Sequence, residues 1–164
     1  MLGRKVRGFE FVAPEFRTVS DDELAAQGVE RKLPQRATKR SAGYDVFSIE
    51  HGIIPPKGKM HFATDVKAYM GNDEVLLAFP RSSQGIKMDV MLSNTTGVID
   101  ADYYSNPTND GHIGVYLRNL GDEPVEIFPG DKLCQVVFVK YLVADHDDPE
   151  QLPERVAGTG STGR

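Results

Sequence analysis

The sequence predicts an all-β sandwich or barrel, and three observations carry that expectation. Short apolar or alternating stretches recur along the 164 residues with Gly, Pro and Asn between them, the pattern of short strands joined by turns. Ile113, Val115 and Leu117 alternate with Gly114, Tyr116 and Arg118, as in a strand with one buried face. Leu133 to Val139, LCQVVFV, is almost continuously apolar and reads as a strand buried on both faces.

Taken in order, a first strand spans Gly8 to Val12, GFEFV. In SDDELAAQG, Ser20 and Glu23 have capping-box spacing and Gly28 closes a helix of about two turns. Lys32 to Ser41, KLPQRATKRS, reads as a basic loop. Strand-like stretches then follow at Tyr44 to Ile49, Met60 to Met70, Glu74 to Phe79, His112 to Leu120, Val125 to Phe128 and Leu133 to Val143. Gly52, Pro55-Pro56, Gly58, Gly71-Asn72, Gly121-Asp122 and Pro129-Gly130 supply the turns. The expected organisation is one β domain over residues 1–143 and a C-terminal arm over 144–164. The arm has too little apolar surface to offset the entropy of ordering it alone.

Composition narrows the function classes. The length suits one domain with a real core. No apolar run spans a bilayer and MLGRKVRGFEF lacks a signal-peptide core, so a cytoplasmic protein without a membrane partner is expected. A net charge of −5 with dispersed basic residues gives no stripe for nucleic acid. The single cysteine, Cys134, cannot form an internal disulfide and reads as a buried small hydrophobe. The four histidines are scattered and read as surface or packing residues.

Several segments carry polar chemistry. NTTGVIDADYY, Asn94 to Tyr104, sets Asp100 and Asp102 after an apolar Val98-Ile99 pair. If the strand continued, its period of two would send both acids to one face. There they are either solvated hairpin acids or a base aimed into a cleft. PRSSQGIK puts Arg81 beside Ser82 and Ser83, which fits a phosphate site or a plain polar turn. SAGYD, with Gly43 and Asp45, and the glycine-rich GTGSTG near the end are weak signals alone.

Together, SAGYD, PRSSQG, GVIDADYY, GDKLCQ and GTGSTG resemble, in order, the five motifs of the trimeric dUTPase family, over Ala42 to Gly163. The resemblance implies a jelly-roll-like subunit with one short helix, a homotrimer, and Mg2+-dependent hydrolysis of dUTP to dUMP and pyrophosphate. Asp100 matches the carboxylate that activates water for in-line attack on the α-phosphorus. Tyr103 matches the tyrosine packed under the deoxyribose. Asn94, the backbone of Gly97, Val98 and Ile99, and Gly114 match the groups that read the uracil. Arg81, Ser82, Ser83 and Gln135 fall on phosphate-binding positions. Arg155, Gly160, Ser161 and Thr162 match the tail that closes over the triphosphate. The resemblance implies no direct protein ligand to Mg2+, which triphosphate and water would hold with Asp45 nearby. Each site would draw its first, second and fourth motifs from one subunit, its third from another and its fifth from the last. Asp102 is expected to be a structural acid fixing the hairpin.

The chain departs from the pattern in two places. Thr159 stands where the family usually has an aromatic that stacks on the uracil, and Tyr104-Ser105 replaces Arg-Gly ahead of a longer loop, NPTNDGH. Two other readings keep the fold: a dCTP deaminase-like relative, and a non-enzymatic nucleotide-sensing or regulatory trimer. Asn94, GVIDADY and the Gly-Ser-Thr tail speak against the first. Asp100 together with Arg81 and Arg155 speaks against the second.

Overall fold

A computed structural model describes residues 5–155 and 157. Twelve strands run in the order β1 (Gly8–Phe11), β2 (Gln35–Arg36), β3 (Tyr44–Phe47), β4 (Gly52–Ile54), β5 (Lys59–Ala63), β6 (Val66–Tyr69), β7 (Glu74–Phe79), β8 (Val90–Leu92), β9 (Gly97–Asp100), β10 (Gly114–Asn119), β11 (Val125–Ile127) and β12 (Lys132–Lys140). Helix α1 (Asp21–Ala26) follows β1, α2 (Ser82–Lys87) follows β7, and three single 3-10 turns complete the elements. All pairings are antiparallel. A five-stranded sheet β2-β3-β12-β7-β9, a three-stranded sheet β5-β10-β8 and the pairs β1-β6 and β11-β4 make a jelly-roll-like all-β body. Val46, Phe62, Leu76, Leu117, Leu133 and Val136 form its core, each almost fully buried.

The expected alternation holds in β10, where Val115 and Leu117 are buried while Gly114, Tyr116 and Arg118 are exposed. In β12 burial on both faces holds only for the first half. Leu133, Cys134 and Val136 are buried, but Val139 is 38% exposed. The cause is pairing length: β3 accompanies β12 only as far as Val136, and β7 alone continues to Lys140. Met60 to Met70 is two strands, broken where Asp65 takes a left-handed backbone (φ 55°) so that the chain leaves β10 for β1.

Three local expectations are corrected. Gly52 opens β4, paired with Ile127, and is not a turn residue. Gln35–Arg36 in the basic loop forms a short edge strand on β3. A second helix, α2, forms over SSQGIK. It shows no apolar stripe, and Ile86 is 81% exposed. The long-range contacts of Gln84 dock it: the amide donates to the carbonyls of Lys132 and Leu133 (3.0 and 2.9 Å) while its oxygen accepts from Arg81 N (3.0 Å).

Helix α1 has the expected capping box between Ser20 and Glu23. Behind it, Arg31 reaches the fully buried Asp65 through Nε (3.2 Å) and Nη2 (2.9 Å), and also bonds Asp21 and the Val19 carbonyl. This ties the N-terminal excursion to the β5–β6 corner. Cys134 is fully buried, and desolvation pushes its thiol up to about 12, as expected for a packing residue. Among the described residues no helix is long and apolar enough to cross a membrane.

Candidate active site

A cleft of about 440 Å3 opens between β9 and β10. Asn94, Gly97, Val98, Ile99, Asp100, Tyr103, Gly114 and Arg155 of the expected site residues all line it. Strand β9 ends at Asp100, and the chain then turns through a 3-10 helix over Ala101–Tyr103. The period of two therefore stops before Asp102. Both acids nevertheless face one partner: Arg155 donates from Nη2 to Asp100 Oδ2 (2.6 Å) and from Nε to Asp102 Oδ1 (2.7 Å). Asp102 thus holds the tail arginine rather than fixing the hairpin. The Arg155 side chain is only 13% exposed, and its guanidinium also lies 5.8 Å from the centre of the Tyr103 ring.

Tyr103 is held from two sides. Its hydroxyl donates to the His112 carbonyl (3.0 Å) and accepts from Asn109 Nδ2 (2.7 Å). On the opposite wall, a Cβ at Gly114 would come within 2.1 Å of His61 Nε2. A side chain there would displace the imidazole, which packs on Tyr116 with ring centroids 4.7 Å apart.

The remaining expected residues gather elsewhere. Arg81 Nε (2.9 Å) and Lys132 Nζ (2.7 Å) both donate to the buried Asp45 carboxylate. Gln135 Nε2 donates to the Pro80 carbonyl (3.2 Å), and a Cβ at Gly43 would lie 2.6 Å from Gln135 Oε1, which is why SAGYD carries glycine beside this strand. Ser82 and Ser83 open α2 next to Arg81. Arg81, Ser82, Ser83, Gln135 and Asp45 therefore form a second cluster, and none of them lines the cleft. The β7–β9 register explains the separation. Asp100 pairs with Val75 at one end of β7, whereas Arg81 leaves the other end, roughly 20 Å away at the ~3.3 Å rise of a strand. Thr159, Gly160, Ser161 and Thr162 lie outside the described residues.

Besides apolar lining residues, sequence reasoning missed His61, Asn109, His112 and Tyr116 in the cleft. His61 is an exposed residue packed on Tyr116, as expected, but the pairing of β5 with β10 also sets it on the cleft wall, and the mostly buried His112 reaches the cleft from the loop before β10. His112 Nε2 accepts from the backbone of Asp65 (2.9 Å) and Thr64 (3.3 Å). Burial lowers its pKa despite the nearby Asp65 carboxylate, so the ring is the neutral Nδ1–H tautomer. Its 3.6 Å approach to Asp65 Oδ1 is a contact of a neutral imidazole, since Nε2 cannot accept those bonds while protonated. The signal was present in one place only: GH within NPTNDGHIGV marks the turn that brings the loop back to the hairpin.

Mg2+ fits only in a limited sense. Among the described residues no three His, Cys, Asp or Glu side chains converge to hold a cation, and both oxygens of Asp45 are already bonded by Arg81 and Lys132. A divalent ion near Asp45 would therefore have to keep its waters and take its other oxygen ligands from a bound polyphosphate.

A model of the dUTPase family matches residues 30–164. The deoxyuridine 5'-triphosphate nucleotidohydrolase of Lactococcus lactis subsp. lactis is 41% identical over 159 residues, covering 97% of this chain and 99% of the relative. The enzyme of the same name from Pseudomonas entomophila is 34% identical over 83% of this chain and 88% of its own. Among solved structures, the dUTPase from Streptococcus mutans superposes with a TM-score of 0.71 at 38% identity, covering 84% of this chain and 98% of that one. The dUTPase from phage phi11 of S. aureus shares the fold at 23% identity and a TM-score of 0.66, over 90% and 98% of the two chains.

Proposed function

The chain belongs to the dUTPase family, and from that premise we propose that it hydrolyses dUTP to dUMP and pyrophosphate in the cytoplasm, as a homotrimer. The observation that carries the proposal is the gathering of Asn94, the Gly97–Asp100 backbone, Tyr103 and Gly114 around one cleft. Uracil lies between the β9 backbone and Gly114, with the Asn94 amide donating to a carbonyl and accepting from N3–H. Cytosine would leave fixed backbone donors and acceptors unpaired. The Tyr103 ring lies under the deoxyribose and leaves a 2′-hydroxyl neither space nor partner.

Asp100 takes a proton from water as the oxygen attacks the α-phosphorus in line. The bond from that phosphorus to the bridging oxygen breaks, and pyrophosphate leaves with the electron pair. General base catalysis contributes about 10²- to 10⁴-fold. In the free chain Arg155 occupies Asp100 Oδ2. A triphosphate competes for that guanidinium and releases the oxygen to water. Arg81, Ser82, Ser83 and Gln135 bind phosphate oxygens, and Gly160, Ser161 and Thr162 close over them. Mg2+, when bound by the triphosphate and water near Asp45, supplies positive charge to the leaving pyrophosphate.

The separation along β7 supports the trimer. One phosphate cannot touch both Arg81 and Asp100 of the same chain across roughly 20 Å, so a neighbour supplies the Arg81 cluster to this cleft. Arg155 meets the acids of its own chain; in the trimer it makes these contacts on a neighbouring hairpin.

Incubation with dUTP, dCTP and UTP plus Mg2+ tests the proposal. Pyrophosphate from dUTP alone, lost in Asp100→Asn, is expected. Ammonia from dCTP, or turnover that survives Asp100→Asn, refutes it.

A further inference from the structure

We propose that Asn109 is a positioning residue for Tyr103, and through it a determinant of deoxyribose over ribose; this rests on the reading of Tyr103 given above. The phenol oxygen offers one proton and accepts at its lone pairs. Here the proton goes to the His112 carbonyl (3.0 Å), and Asn109 Nδ2 bonds the oxygen at 2.7 Å. Two directional bonds at the ring's far end fix both its tilt and its distance from the cleft floor. A single bond would let the ring swing about it.

Asn109 is itself held. Its Oδ1 accepts from Asn106 Nδ2 (2.6 Å) and Gly111 N (3.1 Å), and its carbonyl accepts from His112 N (2.9 Å). The buried Asn106 also donates from Nδ2 to the Tyr103 carbonyl (2.9 Å). Below this layer the Lys67 ammonium bonds both oxygens of the buried Asp110 (2.8 Å each) and Ser105 Oγ (3.1 Å). Asp110 in turn accepts from Ala13 N (2.8 Å). The longer loop is therefore a braced support, and it grips the phenol at the cleft through the His112 carbonyl and, from a side chain, through the amide of Asn109. Ser105, in the left-handed region at φ 53°, takes a conformation that glycine adopts without strain; its bond to Lys67 offsets that cost.

A double-mutant cycle of Asn109→Ala and Tyr103→Phe, reading kcat/KM for dUTP divided by kcat/KM for UTP, separates positioning from loop closure. Each single variant is expected to lower the ratio about 3- to 10-fold, the scale of one lost hydrogen bond, and the double variant no further than either. Asn109→Ser provides the same measurement should the alanine variant not fold. Its hydroxyl can still accept from Gly111 N, as in a serine turn, yet is too short to reach Tyr103. A turnover-independent readout is the Tyr103 hydroxyl proton by NMR, expected to exchange slowly in the wild type and fast in the Asn109 variants. An unchanged ratio, an additive cycle or an unaffected hydroxyl proton overturns the inference. A wild type that releases no pyrophosphate from dUTP would refute the proposed activity instead, with the NMR measurement still deciding the role of Asn109.

Discussion

Replacing Asp102 by Asn separates the two acids of GVIDADYY. Asp102 Oδ1 accepts from Arg155 Nε at 2.7 Å, while Asp100 Oδ2 accepts from Nη2 at 2.6 Å. A charge-assisted hydrogen bond contributes about 1.5–3 kcal/mol when shielded, but the Asp102 side chain is 59% exposed. Solvent screening brings the loss down to about 1 kcal/mol, or roughly a fivefold shift toward the undocked tail. Limited trypsin digestion reads this directly, because cleavage after Arg155 follows the population in which the guanidinium has left the acids. Cleavage should be about fivefold faster in Asp102→Asn, with pyrophosphate release little reduced, because a bound triphosphate already draws the guanidinium away from the acids. Asp100→Asn should loosen the tail comparably but cut turnover by about 10²- to 10⁴-fold. Equal losses of turnover in the two variants would show that Asp102 shares the role of base. Unchanged digestion would show that its bond to Arg155 does not hold the tail.

Other expectations follow from single residues. Burial keeps His112 neutral with a lowered pKa. The folded state therefore binds fewer protons than the unfolded chain, so this stability is complete above the unfolded value of ~6.5 and falls as pH drops from there toward the folded one. Thermal melts between pH 7.5 and pH 5 should steepen in the wild type and flatten in His112→Gln; parallel slopes would refute the assignment. Lys67→Met strands the Asp110 carboxylate and should cost about 3–5 kcal/mol in urea unfolding, whereas a loss under 1 kcal/mol would mean that Asp110 finds water. Thr159→Phe should raise kcat/KM, by up to ~1–3 kcal/mol of added stacking; no gain would mean that the tail closes without an aromatic.

What could be read beforehand follows from the range of the forces involved. Strand β7 begins and ends where Glu74 to Phe79 predicts, because alternation and the turns at Gly71-Asn72 and Pro80 are local signals. The capping box of α1 is local for the same reason. Helix α2 is not, since Gln84 docks onto carbonyls 48 and 49 residues away. His61 and His112 were passed over because only the pairing of β5 with β10 and the loop bonds to Asp65 carry them to the cleft. The motif residues were legible by resemblance, but their division into two clusters lay in the β7–β9 register, which composition and spacing do not encode. Asp102 looked like a twin of Asp100 by period, and the 3-10 turn that removes it from the strand left it opposite the same arginine.

Strand β7 also bears on inheritance and dilution. With the phosphate-binding groups at one end and the general base Asp100 at the other, the proposed trimer would spread the motifs of a single chain over three different sites. Activity per chain should then collapse on dilution below the assembly constant. A chain defective at Arg81 and a chain defective at Asp100, each inactive alone, should recover part of the activity once mixed and reassembled. Two faulty alleles could mask one another in a single cell, while either one, in excess over a sound copy, would spoil sites it shares.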